Sequence, residues 1–381
     1  MSRKKIKGRL IYAASERCAD LLYETGFSAP DPFLWYSVED QGTVVVSALE
    51  VGRAVKQCHP GVQVLSFSEA ARQWRMRRSL VRRMTANYIV AMARHLQVDT
   101  WEVPTYFPYG LAAELLKRDL ALIPKADFSP GRACKSAQEI KYVRNGVRLA
   151  EQGLARAIDI LRQAKIGQDG TLLWQGQPLL AEALKGEIDA EIARHGGTAS
   201  HTIAAHGQQA ADPHQQGHGP IQAHTPIVLD IFPRDDATGY FGDLTRTVVK
   251  GQAPDIVRRA FDAVYKAQQA AQAMLRPGVT GATVHKAVTE TLDAAGFPTD
   301  VEAKPPHGFF HSTGHGLGLE VHEAPSLSSA AATPLLVDNV VTIEPGLYYP
   351  EWGGVRLENV AVITPEGYEN LTEAPVELEI P

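Results

Sequence analysis

Gly242-Asp243-Leu244-Thr245-Arg246-Thr247, Ser312-Thr313-Gly314-His315-Gly316-Leu317-Gly318 and Thr342-Ile343-Glu344-Pro345-Gly346 are the three stretches whose reading decides this chain. Two more acids complete the pattern, Asp230 in Val-Leu-Asp-Ile and Glu358 in Arg-Leu-Glu-Asn. Four carboxylates with one imidazole suit Mn²⁺, Co²⁺, Fe²⁺ or Zn²⁺, and carboxylates can bridge two ions where neutral ligands cannot. The set points to one shared two-metal site and to hydrolysis by activated water. An isolated acid near a strand end is ordinarily a solvated turn residue or a helix cap. Five candidates in these contexts differ, because a buried acidic cluster without cations would repel itself and raise its own pKa values.

The local patterns place these residues on strand ends, which give a metal site the rigidity it needs. Pro226-Ile-Val-Leu-Asp230 is an apolar run closed by an acid, and Asn339-Val-Val-Thr-Ile-Glu-Pro-Gly346 is another, stopped by Pro345. In the run from Gly354 to Ile363, alternation puts Arg356 and Glu358 on one face and Val355 and Leu357 on the other. If the residues after Gly318 form a strand, Leu319, Val321 and Glu323 share one face and Glu320 and His322 the opposite one.

In this order, from about Lys135 to the C-terminus, the peptides closely resemble the metal-binding signature of the pita-bread metallopeptidases, in the branch of aminopeptidase P and prolidase. The resemblance implies that Asp230 binds one ion, Asp243 and Glu358 bridge both, and His315 and Glu344 bind the second. It further implies that Glu344 shuttles a proton. By the same resemblance His214, His311 and His322 surround the substrate, holding the scissile carbonyl, stabilising the tetrahedral intermediate and moving protons, which imidazoles do near neutral pH. Arg356 reads as an anchor for the acids through an ion pair rather than a substrate contact. Asp230 and Asp243 stand 13 residues apart, slightly more than the usual hairpin, and the turn residues of Phe232–Tyr240 predict that the extra length lies away from the metals. His201, His206, His218 and His224 have no ligand spacing, and His218 is expected to border the substrate pocket. Gly314, Gly316 and Gly318 lack the Lys-Ser/Thr of a phosphate loop and read as places where backbone approaches the metals.

The 381 residues exceed one typical core and predict two domains. Residues 1–128 alternate β-rich runs (Arg9–Ala13, Thr43–Ser47, Val62–Ser66) with helical segments such as Glu50–Lys56, as in a small α/β domain. Asp127–Arg132 carries turn residues and reads as a linker. From Ile140 to Leu161 apolar residues recur at three- and four-residue steps behind a Ser136/Glu139 capping box, so residues 135–381 form the second domain. Two similar successions of long helix, turn and shorter helix, ending at Gly196-Gly197 and at Gly296, are what the pseudo-two-fold halves of a pita-bread domain would leave. The expected class is α/β, with a small creatinase-like domain followed by a pita-bread domain. In the family the first domain shapes the active-site mouth and supports a homodimer.

A net charge of −5 and a pI near 6.2 argue against nucleic acid as a partner. The six arginines from Arg72 to Arg83 read as a solvated helix face or a subunit contact. Cys18, Cys58 and Cys134 are odd in number and far apart, as thiols are in a reducing compartment. The apolar run Leu10–Ala14 behind Lys4, Lys5 and Lys7 is too short for a signal peptide, and no run reaches the ~20 residues that span a bilayer. A cytoplasmic protein acting on short proline-containing peptides is the expectation. The resemblance favours an Xaa-Pro aminopeptidase with two Mn²⁺, Co, Zn or Fe being the other metals. A strict Xaa-Pro dipeptidase is the alternative. A creatinase-like metal-free hydrolase or a non-catalytic binding module would have lost the ligands.

Overall fold

The computed structural model describes residues 7–77 and 85–381 and divides into two compact units, Met1–Pro130 and Gly131–Pro381. In the first unit a six-stranded sheet runs in the order Gln63–Ser66, Gln41–Val46, Phe33–Val38, Lys7–Ala13, Thr100–Pro104, Ala121–Lys125. The central pairs are antiparallel and the outer ones parallel. Period-two alternation divides its side chains between two cores. Leu10, Leu34, Tyr36 and Val45 enter one, and Ile11, Phe33, Trp35, Val44 and Val46 the other. Phe33–Val38 is apolar on both faces and therefore shows no alternation in the sequence. Of the arginine-rich stretch, Arg72, Arg75 and Arg77 are exposed, while Arg78, Arg82 and Arg83 lie outside the described residues, as do Lys4 and Lys5.

The second unit is built twice over. The helix Ala137–Gln163 opens on a capping box in which Ser136 Oγ accepts from Glu139 N, and Ala181–Arg194 packs against it. In the other half Asp255–Met274 packs against Gly281–Ala294. Each shorter helix is followed by a glycine in the left-handed region, Gly196 (φ 82°) and Gly296 (φ 84°). One sheet contains Ile203–His206, Ile227–Ile231, Leu244–Lys250 and Glu379–Ile380; the other contains Glu323–Leu327, Gly314–Gly316, Val340–Ile343, Asn359–Thr364 and Gly367–Asn370. Each half has its own apolar core under its helices.

The two halves are stitched together where the ligands lie. Glu358 N donates to Thr245 O (3.0 Å), and Thr247 Oγ1 bonds both Arg356 O and Arg356 N at 2.9 Å. The run from Gly354 to Ile363 proves not to be one strand. Gly353–Arg356 pairs with Gly346–Tyr349, and Asn359–Thr364 pairs with Val340–Ile343. Its alternation survives the change of partner, since Val355 and Leu357 enter the core while Arg356 and Glu358 face the large cavity of this unit.

Three expectations need correction. Gly318–His322 forms a bend, and the strand begins only at Glu323, so Val321 and His322 both line the cavity instead of facing opposite ways. The glycines around His315 serve strand packing: a Cβ on Gly314 would lie 1.9 Å from Thr342 O and one on Gly316 2.3 Å from Ala324 O. The insert between the aspartates is a folded excursion, with Arg234–Asp235 pairing with Gly197–Thr198 and Tyr240 donating to Glu139 Oε1 at 2.6 Å, and only part of it is remote, because Phe232 reaches the cavity.

Gly146 on the long helix touches the backbone of Gly242, the residue before Asp243, and a Cβ there would fall 2.4 Å from Gly242 N. Ala ordinarily stabilises a helix interior over Gly by up to about 1 kcal/mol. Here overpacking against backbone costs about 1–3 kcal/mol and wins. Gly146→Ala is expected to lower the melting temperature and displace Asp243; an unchanged or raised melting temperature would show that the contact is not tight.

Candidate metal centre

The five predicted ligands line one cavity of about 1080 Å³ in the second unit. Asp230 lies within Ile227–Ile231, Asp243 immediately precedes Leu244–Lys250, and His315 is the middle of Gly314–Gly316. Glu344 follows Val340–Ile343 and Glu358 precedes Asn359–Thr364. Ligand atoms of Asp243, His315 and Glu358 all fall within 4.8 Å of one another. His315 Nε2 is 3.2 Å from Glu344 Oε1 and 3.8 Å from Asp243 Oδ2. Thr245 Oγ1 lies 2.9 Å from Asp230 Oδ1 and 2.8 Å from Glu358 Oε2, joining Asp230, the fifth candidate ligand, to the group.

Charge is the salient property of the site. At about 4 Å and an effective dielectric constant near 20, each pair of carboxylates repels by about 4 kcal/mol. Among the described residues facing them, the permanent cation is Arg356, whose Nη2 is 2.8 Å from Asp230 Oδ2. The remaining imbalance appears as shifted acidities. Burial and the charges of Glu358, Asp230 and Glu344 hold the Asp243 carboxyl well above its ordinary range. Burial and the Glu344 and Asp230 charges push Glu358 up to about 8. Burial draws His315 down, but the Glu344 carboxylate outweighs it and raises the imidazole to about 9. Protons thus stand where cations would relieve the same repulsion. His315 Nδ1 donates to Gly316 O (3.2 Å), which leaves Nε2 for a metal. The donor set fits two divalent ions.

The histidines differ in what they can offer. His322 is exposed at the cavity wall beside His315, ring centroids 4.3 Å apart, and partial desolvation followed by the neighbouring imidazole lowers its pKa. His311 is committed to the protein: Nδ1 donates to Ser312 O (2.8 Å) and Nε2, kept neutral by burial, accepts from Tyr348 Oη (2.9 Å). His214 is exposed at the cavity wall. His218 does not line the cavity; it is exposed, its carbonyl accepting from Gln209 Nε2 (3.0 Å), and His201 occupies the rim in its place.

Several contributors escaped the sequence reading. Thr245 was legible in principle, since it follows Asp243 by two residues and shares its strand face. Tyr348 links Arg356 Nη1, which donates to its Oη at 2.8 Å, to His311. Arg246 is 2 % exposed and donates through Nη1 to Glu358 O (2.6 Å) and Thr245 O (2.9 Å). Gln268, on the apolar face of Asp255–Met274, donates to Ile343 O (3.0 Å) and Leu357 O (2.9 Å), the residues preceding the two glutamates. No local pattern marks those last contacts, because they join segments far apart in the chain.

A mixed α/β domain with two sheets backed by paired helices and a carboxylate-rich centre between them defines a pita-bread metallohydrolase. The model of metallopeptidase family M24 matches residues 141–365, and the chain belongs to that family. It is 30% identical over 280 residues to an Xaa-Pro dipeptidase of Pyrococcus horikoshii, covering 72% of this chain and 74% of the relative. Among solved structures it is similar to an Xaa-Pro dipeptidase from Bacillus anthracis, with a TM-score of 0.81, 22% identity and coverage of 99% of this chain and 95% of the other. It is equally similar to an X-Pro aminopeptidase from Thermotoga maritima, with a TM-score of 0.81, 21% identity and coverage of 98% and 97%.

Gln268→Leu keeps the side-chain volume but leaves two buried carbonyls without their donor, at a cost of about 1–3 kcal/mol each. Both glutamate-bearing segments then lose a common restraint, so metal affinity should fall roughly 10- to 100-fold. Calorimetric titration of the metal-free variant with Mn²⁺ checks this, and wild-type affinity would remove Gln268 from the site's support.

Proposed function

We propose that this metallopeptidase is an Xaa-Pro aminopeptidase that removes the N-terminal residue from short peptides with proline in second place. The proline preference draws on the Pyrococcus relative and the two similar solved structures. The observation that carries the choice of aminopeptidase is the cation content of the cavity. A strict dipeptidase must fix the free carboxylate behind the proline. Among the described lining residues the one arginine is Arg356, which is 4 % exposed and occupied by Asp230, Tyr348 and Thr245, and there is no lysine. The cavity also reaches the upper end of the range of about 300–1,000 Å³ typical of ligand sites, leaving room for a chain that continues past proline. The dipeptidase reading keeps one support: His201 and His214, at the rim, could meet a carboxylate if protonated.

In this reading Asp230, Asp243, His315, Glu344 and Glu358 hold two ions, and Mn²⁺ suits a set of four carboxylates and one imidazole. The ions supply Lewis acidity and a water acidic enough to react at neutral pH. Glu344 is in this reading the carboxylate that takes a proton from water and passes it to the leaving proline nitrogen. His322, neutral at pH 7, donates a hydrogen bond to the carbonyl oxygen as charge develops there. His214 is placed to contact the peptide from the rim. His311 acts through Tyr348, holding its hydroxyl and thereby Arg356 and Asp230. Arg356 steadies Asp230 and does not touch substrate. The homodimer and the cytoplasmic location belong to the same proposal. Among the described residues, no helix is long and apolar enough to cross a membrane.

Stripping the protein with chelator should abolish cleavage of an Xaa-Pro-Xaa tripeptide, and Mn²⁺ should restore it best. Full activity of a metal-free sample would end this reading. Tripeptides should be cleaved at least as fast as Xaa-Pro dipeptides in kcat/KM at matched metal loading, and far faster than alanine analogues. Cleavage of dipeptides alone would replace the aminopeptidase by the dipeptidase. His322→Ala should retain two metals while turnover falls roughly 10²-fold, whereas Asp243→Ala should lose metal and activity together.

A further inference from the structure

His322 sits on a bend, Gly318–His322, without ladder bonds of its own, and a group that must meet a developing charge cannot be left to a free loop. The next residue, Glu323, is the centre of an ion cluster. Glu323 Oε1 is 2.6 Å from Lys135 Nζ, and Glu323 Oε2 is 2.7 Å from Arg132 Nη2; the Lys135 and Glu323 side chains are 1% and 6% exposed. Arg132 Nη2 also reaches Glu320 Oε2 at 2.5 Å, and Glu320 N donates to Glu323 Oε2 at 3.3 Å, so the bend is gripped at two points three residues apart. Gly318 closes the other end, where its carbonyl accepts from Phe241 N at 2.8 Å. A Cβ on Gly318 would lie 2.4 Å from Glu323 Oε1, so the bend folds tightly over the carboxylate.

The cations are themselves anchored. Lys135 N donates to Asp338 O (2.8 Å) and Asn339 Nδ2 to Ala133 O (2.9 Å), which fastens the segment to the start of the strand leading to Glu344. Glu323 in turn is paired in register with Gly316, beside His315. The cluster therefore spans from the Glu344 strand to the His322 bend.

We propose that Lys135 and Arg132, acting through Glu323, are positioning residues for His322. The inference rests on the reading of His322 as the hydrogen-bond donor to the scissile carbonyl. Glu323 also lines the cavity, with Asp212 and the four acids of the metal set. Its two oxygens are both engaged by cations, which fixes the residue next to the imidazole. Neither cation touches the reacting atoms.

A double-mutant cycle on the Mn²⁺-loaded full-length protein tests this with an Ala-Pro-Ala substrate. A displacement near 1 Å at a reacting group can cost on the order of 10²-fold, so Lys135→Met should lower kcat about 10- to 100-fold with KM changed less than about twofold and two metals retained. Lys135→Arg should recover most of the loss. In a His322→Ala background, Lys135→Met should change kcat less than about twofold, because the group it positions is gone. In the metal-free protein the His322 ring resonances should shift or broaden in Lys135→Met and return in Lys135→Arg. An equal loss in both backgrounds, or an unchanged kcat in Lys135→Met alone, overturns the proposal. Wild-type turnover in His322→Ala by itself overturns the reading of His322 and the inference with it, and that single variant separates the two failures. Should Lys135→Met not fold, Arg132→Gln, at the less buried partner, enters the same cycle with the same expected pattern.

Discussion

Repulsion among four carboxylates, two buried and two partly buried, is the constraint around which the second unit is arranged. Side chains held this close in a poorly solvated cavity would separate if their backbones could move, and one guanidinium does not neutralise them. The fold answers by placing each acid at or beside a strand end and tying those strands to one another. Thr245 and Thr247 bridge the sheets of the two halves, so the cost of assembling like charges is met by the stability of both cores rather than by any contact within the site. The charge imbalance that remains is what gives the site its affinity for cations.

A second layer of polar contacts acts on backbone. Gln268 holds the carbonyls before Glu344 and Glu358, and Arg246 holds the carbonyl of Glu358 itself while fastening the segment at Ala374 and Pro375. Burial lowers the Arg246 guanidinium to about 10, still charged at neutral pH, and its five acceptors compensate for the lost hydration. Such groups belong neither to the core nor to the chemistry. They convert the rigidity of helices and sheets into fixed positions for the glutamates, and the Lys135–Glu323–Arg132 cluster does the equivalent for the bend that carries His322.

The bend shows where reading by period fails. Leu319, Glu320, Val321 and His322 alternate in polarity and so read as a strand, but glycines on the N-terminal side and an ion cluster underneath fold them over Glu323. Alternation reports which side chains could share a face, and does not report whether a neighbouring strand is there to pair with. The strand Phe33–Val38 escaped for the opposite reason. Buried on both faces, it has little alternation to detect.

By itself the sequence determined the five candidate ligands that share the cavity, the capped helix from Ser136, the α/β class and the family, because each of these is written in side-chain identity or in a pattern spanning a few residues. Only the tertiary structure decided that Thr245 joins Asp230 to Glu358, that Tyr348 commits His311 to Arg356, that His201 rather than His218 borders the cavity, and that Gln268 and Lys135 reach the site. Those contacts join residues from 8 to 188 positions apart. Their distances depend on how two sheets and four helices pack, and no local propensity encodes that.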